Sequence, residues 1–212
     1  MANKPDMESV VPGGALILSS ALDAIRARPW LYVVSADWRG IAQLVEYVVA
    51  FAFRDGGVWA QSSDVVSVDV LDGGGFRVSD DGVGISAQPD ECGVVPLSRV
   101  FSSIPAGVDT GTLAVVTALS RRLVVVTNSG GMAWRQEFGD GDDSRIECLG
   151  PSVCTGTVVD FWPSDVFRGD LSNDALLDWL HGFIERRGGL SFQDRAGLGI
   201  APHIVIRRTV EG

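Results

Sequence analysis

The chain has 212 residues, which is enough for one well-cored domain and too few for two large ones. A composition of 46% hydrophobic and 21% charged residues is that of a globular protein and excludes extensive disorder. The net charge of −10, with the arginines scattered along the chain, predicts no direct binding to nucleic acid and no binding to an anionic membrane.

The cysteines and histidines give no pattern of a metal site. Cys92, Cys148 and Cys154 form an odd set without metal-ligand spacing, and His181 and His203 lie far apart in sequence. No apolar run reaches the roughly 18 uncharged residues that a membrane span requires. These features predict a cytoplasmic protein with reduced thiols and no bound metal.

The first half of the chain predicts a tail, two helices and a hairpin. Residues 1–14 read as a flexible tail, and residues 15–212 as a single domain. Ser20 can cap a short helix over residues 21–27. Residues 40–54 form a second helix that is apolar over most of its circumference and should therefore be buried. Residues 64–71 alternate, and the glycine-rich turn after them leads into residues 76–79 as a hairpin.

The second half predicts further helices and strands. The helices are expected over residues 96–103, 111–120 and 176–187, and the strands over residues 123–127, 132–138, 156–161 and 204–208. Residues 139–143 resemble a calcium loop only superficially, because the ligand spacing is wrong, and they predict a solvated turn. The expected fold is α/β (α+β): a two-layer sandwich with helices on one face of a mixed, mostly antiparallel sheet.

Several blocks, in this order, carry a resemblance to a known family. Residues 21–32 read ALDAIRARPWLY, residues 44–49 LVEYVV, residues 80–85 DDGVGI, and residues 155–164 TGTVVDFWPS. Residues 115–120 add VVTALS. Together they resemble the ATP-binding domain of DNA gyrase B, a member of the GHKL superfamily with the Bergerat fold.

The resemblance implies a place for a purine base. Asp80 matches the carboxylate that accepts a hydrogen bond from the adenine amine, and Thr157 matches a threonine at the same end of the base. Gly82 and Gly84 would let the backbone approach the base, with Ile85 beside it. The alternative is that Asp80 caps a turn and Thr157 is an ordinary strand residue.

Other positions depart from the family pattern. Tyr47 stands where the family has its catalytic glutamate, and Phe51 where it has the magnesium-binding asparagine. Glu46 is one residue away, which is about 100° of helix rotation. Tyrosine is a poor base at neutral pH, and Phe51 cannot ligate magnesium. Residues 106–112 lack two glycines of the family's phosphate loop and contain Asp109. The family's transducer and TOPRIM domains have no counterpart in the chain.

These departures lead to one leading hypothesis and two alternatives. The leading one is a degenerate, stand-alone domain that binds a nucleoside-like or other small organic ligand as a regulatory module, with gyrase B or a second copy as further partners. The ligand would contact Asp80, Gly82, Gly84, Ile85 and Thr157, with Tyr47 and Phe51 making the pocket drier. The alternative is that Tyr47 and Phe51 fill the former site as part of the core.

An enzyme that reuses the pocket for other chemistry is the first alternative, with Glu46, Tyr47, Asp80 or Asp81 as acid or base. A residual ATPase is the second. No cofactor and no magnesium are expected, and ATP or ADP should bind weakly.

Overall fold

The computed structural model describes residues 21–54, 61–91, 93–103, 111–139, 145–194 and 203–208. The predicted tail, the Ser20 cap, Cys92, residues 106–110 of the phosphate-loop segment and most of the turn at residues 139–143 lie outside these ranges.

Eight strands form one sheet, in the order β5-β4-β3-β6-β2-β1-β8-β7. The strands are β1 Val65–Leu71, β2 Gly75–Asp80, β3 Ser120–Ser129, β4 Met132–Gly139, β5 Glu147–Pro151, β6 Gly156–Pro163, β7 Leu190–Asp194 and β8 His203–Arg208. All neighbouring strands pair antiparallel, so the α+β class is confirmed and the sheet is antiparallel throughout rather than mixed.

Five helices accompany the sheet within the described ranges. They are α1 Ala21–Ala27, α2 Trp38–Ala52, α3 Pro96–Ser102, α4 Gly111–Ala118 and α5 Asn173–Arg187, with a 3₁₀ turn at Pro29–Leu31. None of them is long and apolar enough to cross a membrane.

Alternation along the strands decides which face of the sheet the helices cover. On β6, Thr157, Val159 and Phe161 are buried, whereas the residues between them are partly exposed. Phe161 packs against Phe76 of β2 and belongs to the same core as the apolar side of α2. The period of two therefore places one face of each strand in the core.

The opposite face carries ion pairs across neighbouring strands. Arg77 of β2 donates two hydrogen bonds of 2.7 Å to the Asp160 carboxylate of β6. Farther along the sheet, Arg122 and Arg135 both pair with Glu137. Long charged side chains on this face keep it solvated, in contrast to the apolar face below the helices.

The predicted helix over residues 40–54 corresponds to α2, which begins earlier because Asp37 accepts a 2.9 Å hydrogen bond from the Arg39 backbone N–H. The predicted helix over residues 111–120 ends at Ala118, and Ser120 instead begins β3. Strands β5 and β7 were not predicted.

Candidate functional site

A cluster of polar groups that includes the buried Ser63 and Thr157 surrounds Asp80, at the end of β2. The Asp80 carboxylate accepts hydrogen bonds from the Gly82 N–H at 2.8 Å, the Ser63 hydroxyl at 3.2 Å and the Thr157 N–H at 3.3 Å. All three end on Oδ1, and Oδ2 accepts none from the described residues. We call these residues, together with Thr127 and Ile85 described next, the Asp80 site.

A chain of buried hydroxyls continues from Thr157 to the neighbouring strand. Thr127 of β3 lies opposite Thr157, with 3.3 Å between the two Oγ1 atoms. The Thr127 hydroxyl also accepts a 2.7 Å hydrogen bond from the Ile85 N–H. Thr127, Thr157 and Ile85 are each at most 3% exposed. The structure therefore brings together the two sequence blocks that contain Asp80 and Thr157.

Three glycines are required by the close approach of backbone segments in this site. A Cβ on Gly84, at φ +76°, would lie 2.2 Å from the Asn128 carbonyl oxygen, and one on Gly82 would lie 2.5 Å from the Gln61 carbonyl oxygen. A Cβ on Gly156, at φ +105°, would lie 2.1 Å from the Asp80 carbonyl oxygen. The protein's own packing thus accounts for Gly82 and Gly84, which the resemblance assigns to the approach of a ligand.

Asp81 has a structural role at the start of β1. Its Oδ1 accepts hydrogen bonds of 2.9 Å from the backbone N–H groups of both Asp64 and Val65. The Asp81 carboxylate, a predicted acid or base, is therefore already hydrogen-bonded to the backbone, and the residue lies at the surface.

Glu46 and Tyr47 face different neighbours of α2. The Glu46 carboxylate accepts the Trp179 indole N–H at 2.5 Å and lies 3.3 Å from Arg186 Nη2, both on α5. The Tyr47 hydroxyl donates to the Tyr32 carbonyl oxygen at 2.9 Å and accepts from Gln43 Nε2 at 2.6 Å. Each side chain therefore anchors α2 to an adjacent segment.

Burial raises the pKa of Tyr47, and the nearby Glu46 carboxylate raises it further. Phe51 is 7% exposed and packs in the hydrophobic core. The Tyr47 hydroxyl is therefore neutral at physiological pH, and the Phe51 side chain contributes only apolar surface.

Magnesium does not fit the residues that the family resemblance would assign to it. Magnesium requires oxygen ligands, whereas the matching position holds the buried Phe51. Across the described ranges, no three His, Cys, Asp or Glu side chains come close enough to hold a metal ion.

Burial raises the pKa of Asp80 to about 6, even though the hydrogen bonds from Gly82, Ser63 and Thr157 act in the opposite direction. The Asp81 carboxylate adds a smaller upward contribution. The carboxyl group therefore titrates closer to neutrality than an ordinary aspartate.

Replacing Asp80 by asparagine should stabilise the fold at neutral pH but not in acid. Between an unfolded pKa near 4 and the folded pKa of about 6, the folded protein binds more protons, so its stability falls as pH rises. Asparagine keeps an Oδ1 acceptor without the buried charge. We expect Asp80→Asn to gain on the order of 2 kcal/mol over the native protein at about pH 7.5, after allowance for partial exposure, and nearly nothing at about pH 4.

Urea unfolding of both proteins at the two pH values measures this difference. A stability difference that is the same at both pH values would contradict the raised pKa.

Sequence reasoning identified Asp80 and Thr157 but missed Ser63 and Thr127. The register of the β1–β2 hairpin could have shown that Ser63 lies near Asp80. Val66 pairs with Asp80, which places residues 63–65 opposite residues 81–83. Thr127 could have been found from the pairing of β3 with β6, which was not predicted.

Sequence comparison relates the chain to a set of gyrases, although no protein-family model matches it. The chain is 29% identical to DNA gyrase B of Mycobacterium tuberculosis over 174 residues, 76% of this chain and 26% of the relative. DNA gyrase B of Campylobacter jejuni is 31% identical over 159 residues, 68% of this chain and 20% of that protein. The Streptomyces coelicolor protein is 30% identical over 184 residues, 77% of this chain and 26% of the relative.

A solved structure shows the same fold. It is the 43K ATPase domain of Thermus thermophilus gyrase B in complex with an aminocoumarin, with a TM-score of 0.64 and 22% identity, covering 76% of this chain and 44% of that one. The chain spans only about a quarter of the length of the curated relatives it matches. The homology and the shared fold lead to one conclusion: this chain is a gyrase-B-like domain of the GHKL superfamily.

Proposed function

We propose that this domain binds a small organic ligand at the Asp80 site without hydrolysing ATP. The observation that carries the proposal is the state of α2. The gyrase B resemblance implies a general base and a magnesium ligand on this helix. At those two positions α2 has a hydrogen-bonded, neutral Tyr47 and a core-packed Phe51.

Glu46 does not replace the missing base. A general base must be within hydrogen-bond reach of the proton that it accepts. The Glu46 carboxylate is instead turned to α5, where the Trp179 indole and the Arg186 guanidinium occupy it. Recruiting it for catalysis would require breaking these contacts and rotating α2.

Two groups of the Asp80 site, the Asp80 carboxylate and the Thr157 hydroxyl, support the recognition of a planar polar ligand. Since the three hydrogen bonds within the protein end on Oδ1, Oδ2 remains an acceptor for a ligand N–H. The Thr157 hydroxyl lies beside it in the buried chain with Thr127. This donor and acceptor pattern suits the amine edge of a nucleoside-like ligand.

An organic ligand other than a nucleotide is also supported by the comparison. The Thermus thermophilus domain was solved in complex with an aminocoumarin. The ligand class of our proposal therefore includes aminocoumarin-like molecules as well as nucleosides. In this proposal the domain acts as a regulatory module in the cytoplasm, pairing with gyrase B or with a second copy.

A second candidate function is an enzyme that uses Asp80 for chemistry unrelated to ATP. The observation that favours it is the pKa of about 6, which allows the Asp80 carboxyl group to take up or release a proton near neutral pH. A pH-dependent turnover of bound ligand that is lost in Asp80→Asn would select this candidate over a binding module.

Removing the Asp80 carboxylate should weaken ligand binding. Asp80→Ala deletes a charged acceptor, which is worth about 1.5–3 kcal/mol, or roughly a tenfold to hundredfold loss in affinity. Calorimetric titration with adenosine and with an aminocoumarin measures the loss.

The matched control is Asp69→Ala, because Asp69 lies on β1 of the same sheet and, next to the buried Val68, on the opposite face from the core. Equal affinities of the native protein and Asp80→Ala, for a ligand that does bind, would exclude the Asp80 site.

A further inference from the structure

A cleft lies between α2 and α5 and shares no residue with the Asp80 site. Its volume is about 470 Å³, and its lining residues are Trp38, Ala175, Asp178, Trp179, Gly182 and Arg186. This volume is within the range of small-molecule sites. Neither the family resemblance nor the function proposed above uses these residues as a site.

Two tryptophans form perpendicular walls of the cleft. The rings of Trp38 and Trp179 meet edge to face at 85°, with 6.4 Å between their centroids. Trp179 is held in place by its indole N–H, which donates to Glu46 at 2.5 Å. The Arg39 guanidinium already lies 4.8 Å from the centroid of the Trp38 ring. The Trp38 ring thus already holds one planar cation, which is itself paired with the Asp37 carboxylate at 2.9 Å.

The carboxylates around the cleft exceed the cations that neutralise them. Asp178 is exposed, and its side chain makes no hydrogen bond or ion pair with another residue in the described part of the chain. Glu46 is paired with Arg186, but at 3.3–3.4 Å and with the Arg186 side chain 62% exposed. Arg186 and Arg39 are paired with Glu46 and Asp37, which leaves the Asp178 carboxylate without a paired cation among the described residues. The net charge of −10 adds a long-range field of the same sign.

Gly182 keeps the cleft open between Asp178 and Arg186. It lies in the interior of α5, where glycine costs about 1 kcal/mol relative to alanine. A Cβ at this position would come within 4 Å of one group only, the Arg186 guanidinium at 3.2 Å. No packing within the described fold therefore requires the glycine, whereas any larger side chain would project into the cleft.

We propose that this cleft binds a small planar organic cation, of the aryl amidinium or guanidinium class. Its flat face would stack on the indole of Trp179, as Arg39 does on Trp38, and its charge would lie toward Asp178. Charge complementarity selects this occupant over an anion, since Arg186 is committed to Glu46 and leaves the Asp178 carboxylate to the ligand. The proposal goes beyond the function assigned to the Asp80 site and does not depend on it.

Three molecules of nearly the same shape test the proposal: the cation benzamidine, neutral benzamide and the anion benzoate. The indole N–H resonances of Trp38 and Trp179, assigned by substituting each in turn with phenylalanine, are followed by NMR during each titration. We expect saturable shifts of both resonances with benzamidine and none with benzoate.

Substitutions at exposed positions locate the site. Asp178→Asn should weaken benzamidine binding roughly two- to fivefold, the range expected for an exposed charge pair. Arg186→Gln should strengthen it, because a positive charge that repels the ligand is removed from the cleft. Gly182→Leu should abolish it, and Asp174→Asn, an exposed change on the same helix outside the cleft, should have no effect.

Tighter binding of benzoate that is lost in Arg186→Gln would overturn the proposal and make the cleft an anion site. Benzamidine binding that Asp178→Asn and Gly182→Leu leave unchanged would also overturn it, as would no binding of any of the three. Asp178→Asn and Arg186→Gln alter only exposed groups, so the test stands even if Gly182→Leu fails to fold. Adenosine is also titrated into Asp178→Asn. Because adenosine would bind at the Asp80 site, an unchanged adenosine affinity in this variant shows that the loss of benzamidine binding concerns the cleft alone.

Discussion

The purified protein should release no phosphate from ATP and magnesium above the level of a buffer control. A positioned general base alone typically contributes about 10²–10⁴-fold to a rate. Here the matching side chain is Tyr47, whose pKa is raised by burial and whose hydroxyl is bonded to Tyr32 and Gln43. The apolar Phe51 removes a magnesium ligand as well. A phosphate-release assay, with an active gyrase B fragment as the positive control, measures the difference.

Glu46 supplies the control for this prediction. Glu46→Gln should leave the result unchanged, because the carboxylate serves to join α2 to Trp179 and Arg186. Magnesium-dependent phosphate release that disappears in Glu46→Gln would contradict the account and establish a residual ATPase with a rotated α2.

Substituting alanine for Gly156 should cause the largest loss of stability among single changes near the site. The residue has φ +105°, and a Cβ would lie 2.1 Å from the Asp80 carbonyl oxygen. The new methyl group meets backbone atoms of Asp80 and Asp81 and cannot be accommodated by rotating a side chain. We expect a loss of roughly 3–5 kcal/mol in the free energy of unfolding, combining backbone strain with a displaced β6.

Gly131→Ala is the matched control, because Gly131 also has positive φ, +77°, but nothing lies within 4 Å of a Cβ there. Its cost should be only the conformational strain of about 1–2 kcal/mol. Urea unfolding compares the two variants. Equal losses would mean that β6 does not pass as close to Asp80 as described.

Local patterns in the sequence predicted most of the elements around the site. The α2 helix was identified because apolar residues recur at helical spacing, and Leu44, Val45, Val48 and Val49 are indeed buried. The β1–β2 hairpin was identified from its alternation and glycine turn. The resemblance to family motifs identified Asp80 and Thr157 as site residues. The strand order explains why they are in contact, since β2 and β6 are neighbours.

Two kinds of feature could not be predicted in this way. Strands β5 and β7 lie at the two edges of the sheet, and β5 is largely exposed, so it lacks the apolar alternation that marks a buried strand. The partners of Glu46 lie 133 and 140 residues away in sequence. Helix periodicity predicts that Glu46 and Tyr47 face different directions, but only the tertiary packing of α5 decides what Glu46 contacts.

Calorimetric titration with adenosine, ADP and ATP, each with and without magnesium, tests the central claim most directly. If the domain retains the adenine end of the site and has lost its metal and base, the three affinities should be similar, and magnesium should not change them. An affinity that rises by roughly tenfold or more on adding the phosphates or magnesium would contradict the account. Failure of all three to bind would exclude the nucleoside class of ligand.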